Sequence, residues 1–250
     1  MAAFSGKILT RTYAGLILGL FMAASSYPAL AQTTMMTDFL PSMNFINRQN
    51  DVLWGGYQKK TSNPSSRVRS TQTNSLTYVP SLARRKQNLA QFVASSRAQN
   101  PAGAGKMEQM FATTDIIAAI GKTMTSVGFR SDNLADAYAV YWSSAWLASA
   151  SVSVKLTREQ FAKIKAQAET AFVATPNIIG ASDEKKQQFA EALLVQAVLI
   201  SGSVESAKGN ATQLKAVAAA VREGAKAAGL DLDAMILTDE GFIPAQNRRP

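Results

Sequence analysis

With no histidine and no cysteine among its 250 residues, this chain can do proton and group transfer chiefly through its carboxylates. The two absences exclude an imidazole base, a thiol nucleophile, zinc and iron–sulfur clusters and any disulfide. Paired carboxyls are the chemistry that remains, because two of them facing each other across ~5 to 9.5 Å can cleave a glycosidic bond without help from imidazole. Glu205, Asp132 and Asp136 are the candidate acids. A plainer role competes with that one. Asp132, Asp183 and Glu184 each stand where a helix begins, and a negative charge in a first turn is favoured by the helix dipole.

Other patterns resolve against chemistry. Glu205-Ser206 matches the Glu-Ser pair of helical lytic transglycosylases, but the Gly-Leu-Met-Gln-like segment that follows there is missing here. Gly121-Lys122-Thr123 ends like a phosphate-binding loop, yet Ile116 stands where that loop needs its first glycine, and a helical pattern runs through it. Asp231-Leu232-Asp233 starts like a calcium loop, but Met235, Ile236 and Phe242 occupy the fifth, sixth and twelfth positions. Tyr138, Trp142 and Trp146 at i, i+4 and i+8 could form a stacking platform for sugars; flanked by alanine and valine, they fit a buried core better. No residue is assigned as catalytic, cofactor-binding or metal-ligating, and no cofactor is expected.

The elements that must position these residues are helical. From Ser81 onward apolar residues recur at intervals of three and four, which predicts an all-α domain, a compact bundle of about six helices. Ser81 caps the first, with Leu82, Leu89, Phe92 and Val93 inward and Arg84, Arg85 and Lys86 on a solvated face, ending before Asn100-Pro101. A second runs from Met107 to Val127, with a restart at Thr114 or Asp115, and Gly128 closes it. Ser131 caps the third, apolar nearly all round and so central to the bundle. Thr157 with Gln160 forms a capping box for a fourth over Arg158 to Ala174, before Pro176. Ser182 caps a fifth, from Asp183 to about Ser201. Asn210 with Gln213 caps a sixth, closed by Gly229.

The regions outside the bundle are told apart by charge and hydropathy. Lys7 and Arg11, the apolar run Tyr13 to Ala24, and Ala29-Leu30-Ala31 before Gln32 form a signal peptide over residues 1–31, cleaved between Ala31 and Gln32. No later stretch reads as a membrane span, which predicts a protein exported through the inner membrane and either periplasmic or secreted. Residues 32 to 106 carry 10 basic residues against Asp38 and Asp51, a net of +8, whereas residues 107 to 250 carry 14 against 15, a net of −1. That imbalance points to an anionic envelope surface as partner, through residues 32–106, more than to nucleic acid. Within it, the polar run Gly55 to Thr77 reads as a disordered linker in a flexible basic segment 32–75. Before the linker, Phe39, Leu40, Phe45, Ile46, Val52, Leu53 and Trp54 form an apolar patch that can dock on the domain or bind a partner. The helical domain spans 76–244, and 245–250 is a basic tail.

Tyr78-Val79-Pro80-Ser81 with Arg84-Arg85, then Gly128-Phe129, Leu134-Ala135-Asp136-Ala137, Tyr141-Trp142, Trp146 and Leu237-Thr238-Asp239-Glu240-Gly241-Phe242 form an ordered set. Over about residues 76 to 244 the chain resembles an uncharacterised family, a domain of unknown function, of secreted helical proteins from Gram-negative bacteria. The resemblance implies that these motifs punctuate one helical domain; it brings no activity, cofactor or catalytic residue with it. The expected function is a non-enzymatic interaction or structural role at the cell envelope. A carboxylate-dependent enzyme acting on envelope polysaccharide and an apolar-ligand carrier with a cavity beside Trp142 or Trp146 are the alternatives.

Overall fold

A computed structural model describes residues 75–97 and 101–245. The expected signal peptide with its expected Ala31–Gln32 cleavage site, the apolar patch 39–54, the expected linker up to residue 74 and the tail from 246 lie outside the described residues.

The helices are α1 (Leu82–Arg97), α2 (Pro101–Thr113), α3 (Ile116–Ser126), α4 (Leu134–Ser149), α5 (Arg158–Val173), α6 (Pro176–Ile179), α7 (Asp183–Ser206) and α8 (Ala211–Ala227). A 3₁₀ turn at Leu232–Ala234 then leads into two short antiparallel strands, β1 (Met235–Thr238) and β2 (Gly241–Pro244). The described residues thus contain eight α-helices, and the expectation of about six is corrected. One extra helix arises because the stretch expected over Met107 to Val127 divides at Asp115 into α2 and α3, and the other is α6; α2 and α6 each begin with proline, which lacks an N–H but fits the first helical position, where that donor would be unused. Pro101 thereby opens α2 well before Met107, and Pro176, read as the end of a helix, starts the four-residue α6. The break at Asp115 is real: its carboxylate accepts the Ala118 N–H and caps α3.

α4 lies at the centre, packed against α7, α5 and α8, while α7 also touches α1, α3 and α8. Leu134, Ala135, Ala137, Tyr138, Tyr141, Trp142 and Ala145 on α4 are all essentially buried, as a helix apolar on every side requires. Alanines on α4 and α7 lie in the same core and leave little side chain to hold the two helices apart. The capping box of Thr157 and Gln160 and the cap at Asn210 form as expected. α3 and α8 end in the same way. Gly128 and Gly229 take positive φ, and the Phe129 and Leu230 N–H groups reach back to the Met124 and Ala225 carbonyls.

Two boundaries shift. Asn133, not Ser131, caps α4, its side chain accepting the Ala135 and Asp136 N–H groups. Asp132 therefore precedes the helix and is not a first-turn charge. The polar run to Thr77 also ends in order: Leu76 is fully buried and Thr77 bridges Asn133, so the segment is pinned to the N-terminus of α4.

By length and hydropathy α7 could cross a membrane, a property the sequence reading did not assign to any stretch after the leader. In the fold 67% of its most apolar window is buried among the other helices, as in the core helix of a bundle.

Candidate functional site

The sequence-distant motifs meet at three places around α4 and α7. The first joins the chain entering α1 to the N-terminal half of α7. Asp183, Gln187 and Glu191, spaced four apart, form one polar line on a helix that is otherwise mostly apolar. Asp183 Oδ2 accepts the Val79 N–H at 3.0 Å. Gln187, fully buried, accepts the Ser81 N–H and donates to the Ser81 carbonyl, holding Ser81 as a strand partner would. Glu191, 1% exposed, accepts from Arg85 Nε at 2.9 Å, Asn88 Nδ2 at 2.7 Å and Gln187 Nε2 at 2.9 Å. Arg85 Nη1 also reaches Asp115 Oδ2 at 2.7 Å, tying α3 to the same cluster. Arg84 and Arg85, expected on a solvated face, thus turn toward α7, because a buried carboxylate must be paired and hydrogen-bonded. Between its two oxygens Glu191 accepts three donors, so it is held as an ion-pair partner and not as a free general acid.

The second place is the N-terminus of α4. Asp136 is fully buried; its Oδ2 accepts the Arg130 N–H at 2.9 Å and its Oδ1 lies 2.6 Å from Lys165 Nζ. Burial pushes its pKa above the ordinary aspartate range, against the pull of Lys165 and Arg130. Asp132, two residues from Arg130, receives both guanidinium arms at 2.8 and 2.7 Å, which hold its pKa low. Lys165 Nζ also sits 5.7 Å from the Phe129 ring centroid, so the Gly128-Phe129 motif shapes the setting of this cation. The structure therefore brings Asp132 and Asp136 to one place, bridged by Arg130. Glu205 is elsewhere. It lies 22 residues along α7 from Asp183, about 33 Å of helix rise, and pairs with Lys208. Asp183 and Glu184 occupy the first turn of α7.

The third place is the hairpin. Trp142 stacks on Phe242 with ring centroids 4.4 Å apart, and its Nε1 donates to Met235 Sδ. Trp146 Nε1 donates to the Met235 carbonyl. Gln167 on α5 accepts the Phe242 N–H at 2.9 Å and donates to the Phe242 carbonyl at 2.6 Å, acting as a third strand for β2. The close approach requires Gly241: it has φ +94°, and a Cβ there would lie 2.6 Å from Gln167 Oε1. Lys163 and Gln160 hold the turn through Glu240 and Asp239. Tyr138 and Trp142 are thus core residues and Trp146 is half-buried against the hairpin, as their alanine-rich surroundings suggested. Met235 and Phe242 fill the space beside the two tryptophans, where an apolar-ligand carrier would have its cavity.

The sequence reading missed Glu191, Gln187, Asn88, Lys165, Gln167 and Met235. Only the first two carried a signal, the four-residue spacing from Asp183; the partners of the others are 29 to 103 positions away. Among the described residues no three acidic side chains gather where a metal ion could sit.

No curated protein and no solved structure matches the chain. A family model does, and its extent differs from the expected 76 to 244. The match extends from residue 13 to residue 243, so residues 32–75 lie within its bounds. With residues 13–243 matched, the chain belongs to the family of unknown function DUF6683.

Proposed function

We propose that this protein is exported, its leader cleaved between Ala31 and Gln32, and that it acts by binding at the cell envelope, in the periplasm or outside it, with no catalysis of its own. The observation that carries this reading is the use of the motif residues. Tyr78, Ser81, Arg85, Asp136, Trp142, Trp146 and Phe242 spend their hydrogen bonds and rings inside the domain, while Val79 and Leu82, the latter expected inward, are exposed. The former set builds the domain, and the two candidate acids that come together, Asp132 and Asp136, are tied up by Arg130 and Lys165 instead of standing free on either side of a cleft, as glycoside hydrolysis requires.

Charge supports the choice of partner. Residues 32–106 have a net charge of +8 and residues 107–250 of −1. Arg84, Arg85 and Arg97 are engaged with Gln187, Glu191 and Glu108, so we assign the attraction chiefly to Lys59, Lys60, Arg67 and Arg69, the basic residues of the polar run. A cluster of this kind is drawn to anionic headgroups or acidic polymers, and salt screens it over about 10 Å at 0.1 M. The test is co-sedimentation with outer-membrane vesicles and with cell-wall sacculi at low and high salt. The chain should pellet at low salt, release at high salt, and lose most binding when Lys59, Lys60, Arg67 and Arg69 become Gln. Salt-resistant binding by that variant would instead place recognition on the helices, and no binding to either material would overturn the reading.

A further inference from the structure

α2 packs chiefly on α1, and the outer side of that helix pair carries an open apolar groove of about 520 Å³. Leu89, Ala90, Val93 and Ala94 line it from α1, and Phe111 and Ala112 from α2. Ala90, Ala94 and Ala112 are exposed and Phe111 is half-buried, so the floor is built of small side chains beneath an apolar wall. Its rim is charged. Arg97 and Glu108 pair across it at 2.6 Å, and Lys86 adds a cation with no ion pair among the described residues.

We propose that this groove seats the chain's own segment Phe39 to Trp54. That segment offers what the floor lacks: three aromatic rings, Phe39, Phe45 and Trp54, with Leu40, Ile46, Val52 and Leu53 between them. A small-residue floor leaves room for large rings, and aromatic side chains bury ~150 to 250 Å² each. Charge permits the seating: Asp38 and Asp51, the only two acids between residues 32 and 106, flank or fall within the patch beside its one cation, Arg48, and either carboxylate can pair with the Lys86 cation at the rim.

The connection reaches. Residues 55–74 join the patch to the described chain at Ser75, just before α1. Twenty such polar, glycine- and serine-containing residues span roughly 25 Å root-mean-square, against about 16 Å of α1 between Lys86 and Arg97. A tether of that length keeps the segment at about millimolar local concentration, so a weak apolar contact suffices to fill the groove. The inference is independent of what the envelope partner is.

Two measurements on the full chain test it. Arg48 lies in the middle of the segment, so tryptic cleavage after it reports release. Cleavage should be at least tenfold slower than in Ala94→Arg and Ala112→Arg, which place a charge at exposed groove positions where folding tolerates it; circular dichroism checks that the fold is kept. Equal cleavage rates in all three proteins would overturn the proposal. The chain has no cysteine, so a Leu53→Cys, Ala94→Cys pair can be oxidised on a clean background. An intrachain disulfide should form at least tenfold faster than in a Leu53→Cys, Lys215→Cys pair. Equal rates would count against docking, and a link only between chains would assign the groove to a second copy instead.

Discussion

The α1–α7 junction and the hairpin junction solve the same problem with opposite materials. Each pins a sequence-distant segment to the α4–α7 core. At the first, a buried Glu191 takes three donors from Arg85, Asn88 and Gln187. At the second, Trp142 and Trp146 close on Met235 and Phe242, and the hairpin backbone is satisfied by Gln167. The difference teaches how each would fail. A polar latch that loses one partner leaves a buried charge uncompensated, and replacing both partners by apolar groups can undo most of the loss. An aromatic latch leaves a cavity that only another side chain of similar shape can fill.

Three experiments would break or sharpen that comparison. Trp142→Ala removes the largest fully buried side chain among the described residues and its stack with Phe242, and should cost about 3 to 5 kcal/mol in urea unfolding, with the hairpin losing amide protection first. A loss near 1 kcal/mol would mean that the aromatic latch is not what holds the hairpin. Arg85→Ala should cost about 3 kcal/mol by leaving Glu191 with only two neutral donors. The pair Arg85→Met, Glu191→Leu should recover most of that loss, whereas no single change should rescue Trp142→Ala so well. Failure of the pair to recover would show that Glu191 supplies more than a matched charge.

The smallest effect concerns pH at the second carboxylate cluster. Between the ordinary aspartate pKa and the raised value in the fold, the native chain holds more protons on Asp136 than the unfolded chain does. This group therefore withdraws stability as pH rises through that window. Asp132, held low by Arg130, acts in the other direction, adding stability that is lost as pH falls through its folded pKa. Asp136→Asn keeps an acceptor for the Arg130 N–H and should abolish the first slope while leaving the second. Unfolding curves of both proteins from acidic to neutral pH would show it, and parallel curves would contradict the assignment.

Much of the helical part was legible in the sequence because its signals are local. Thr157 with Gln160, Asn210, Gly128 and Gly229 act within one turn of where they stand, and the apolar girth of Leu134 to Ala148 required a central helix whatever surrounds it. Pro101 and Pro176 misled because proline suits a helix start as well as it punishes a helix interior. Asp132 misled because Asn133 is the better-placed cap.

Composition alone determined that neither imidazole nor thiol chemistry operates here, and periodicity alone determined that the domain is helical. Both are properties of single residues or single turns. Only the tertiary structure decided that Arg85 faces Glu191, that Lys165 reaches Asp136, that Gln167 completes a strand and that Glu205 stands apart from the other acids. Those facts depend on which helices come together across 29 to 106 positions of chain, and residue type at one position holds no record of the partner at the other.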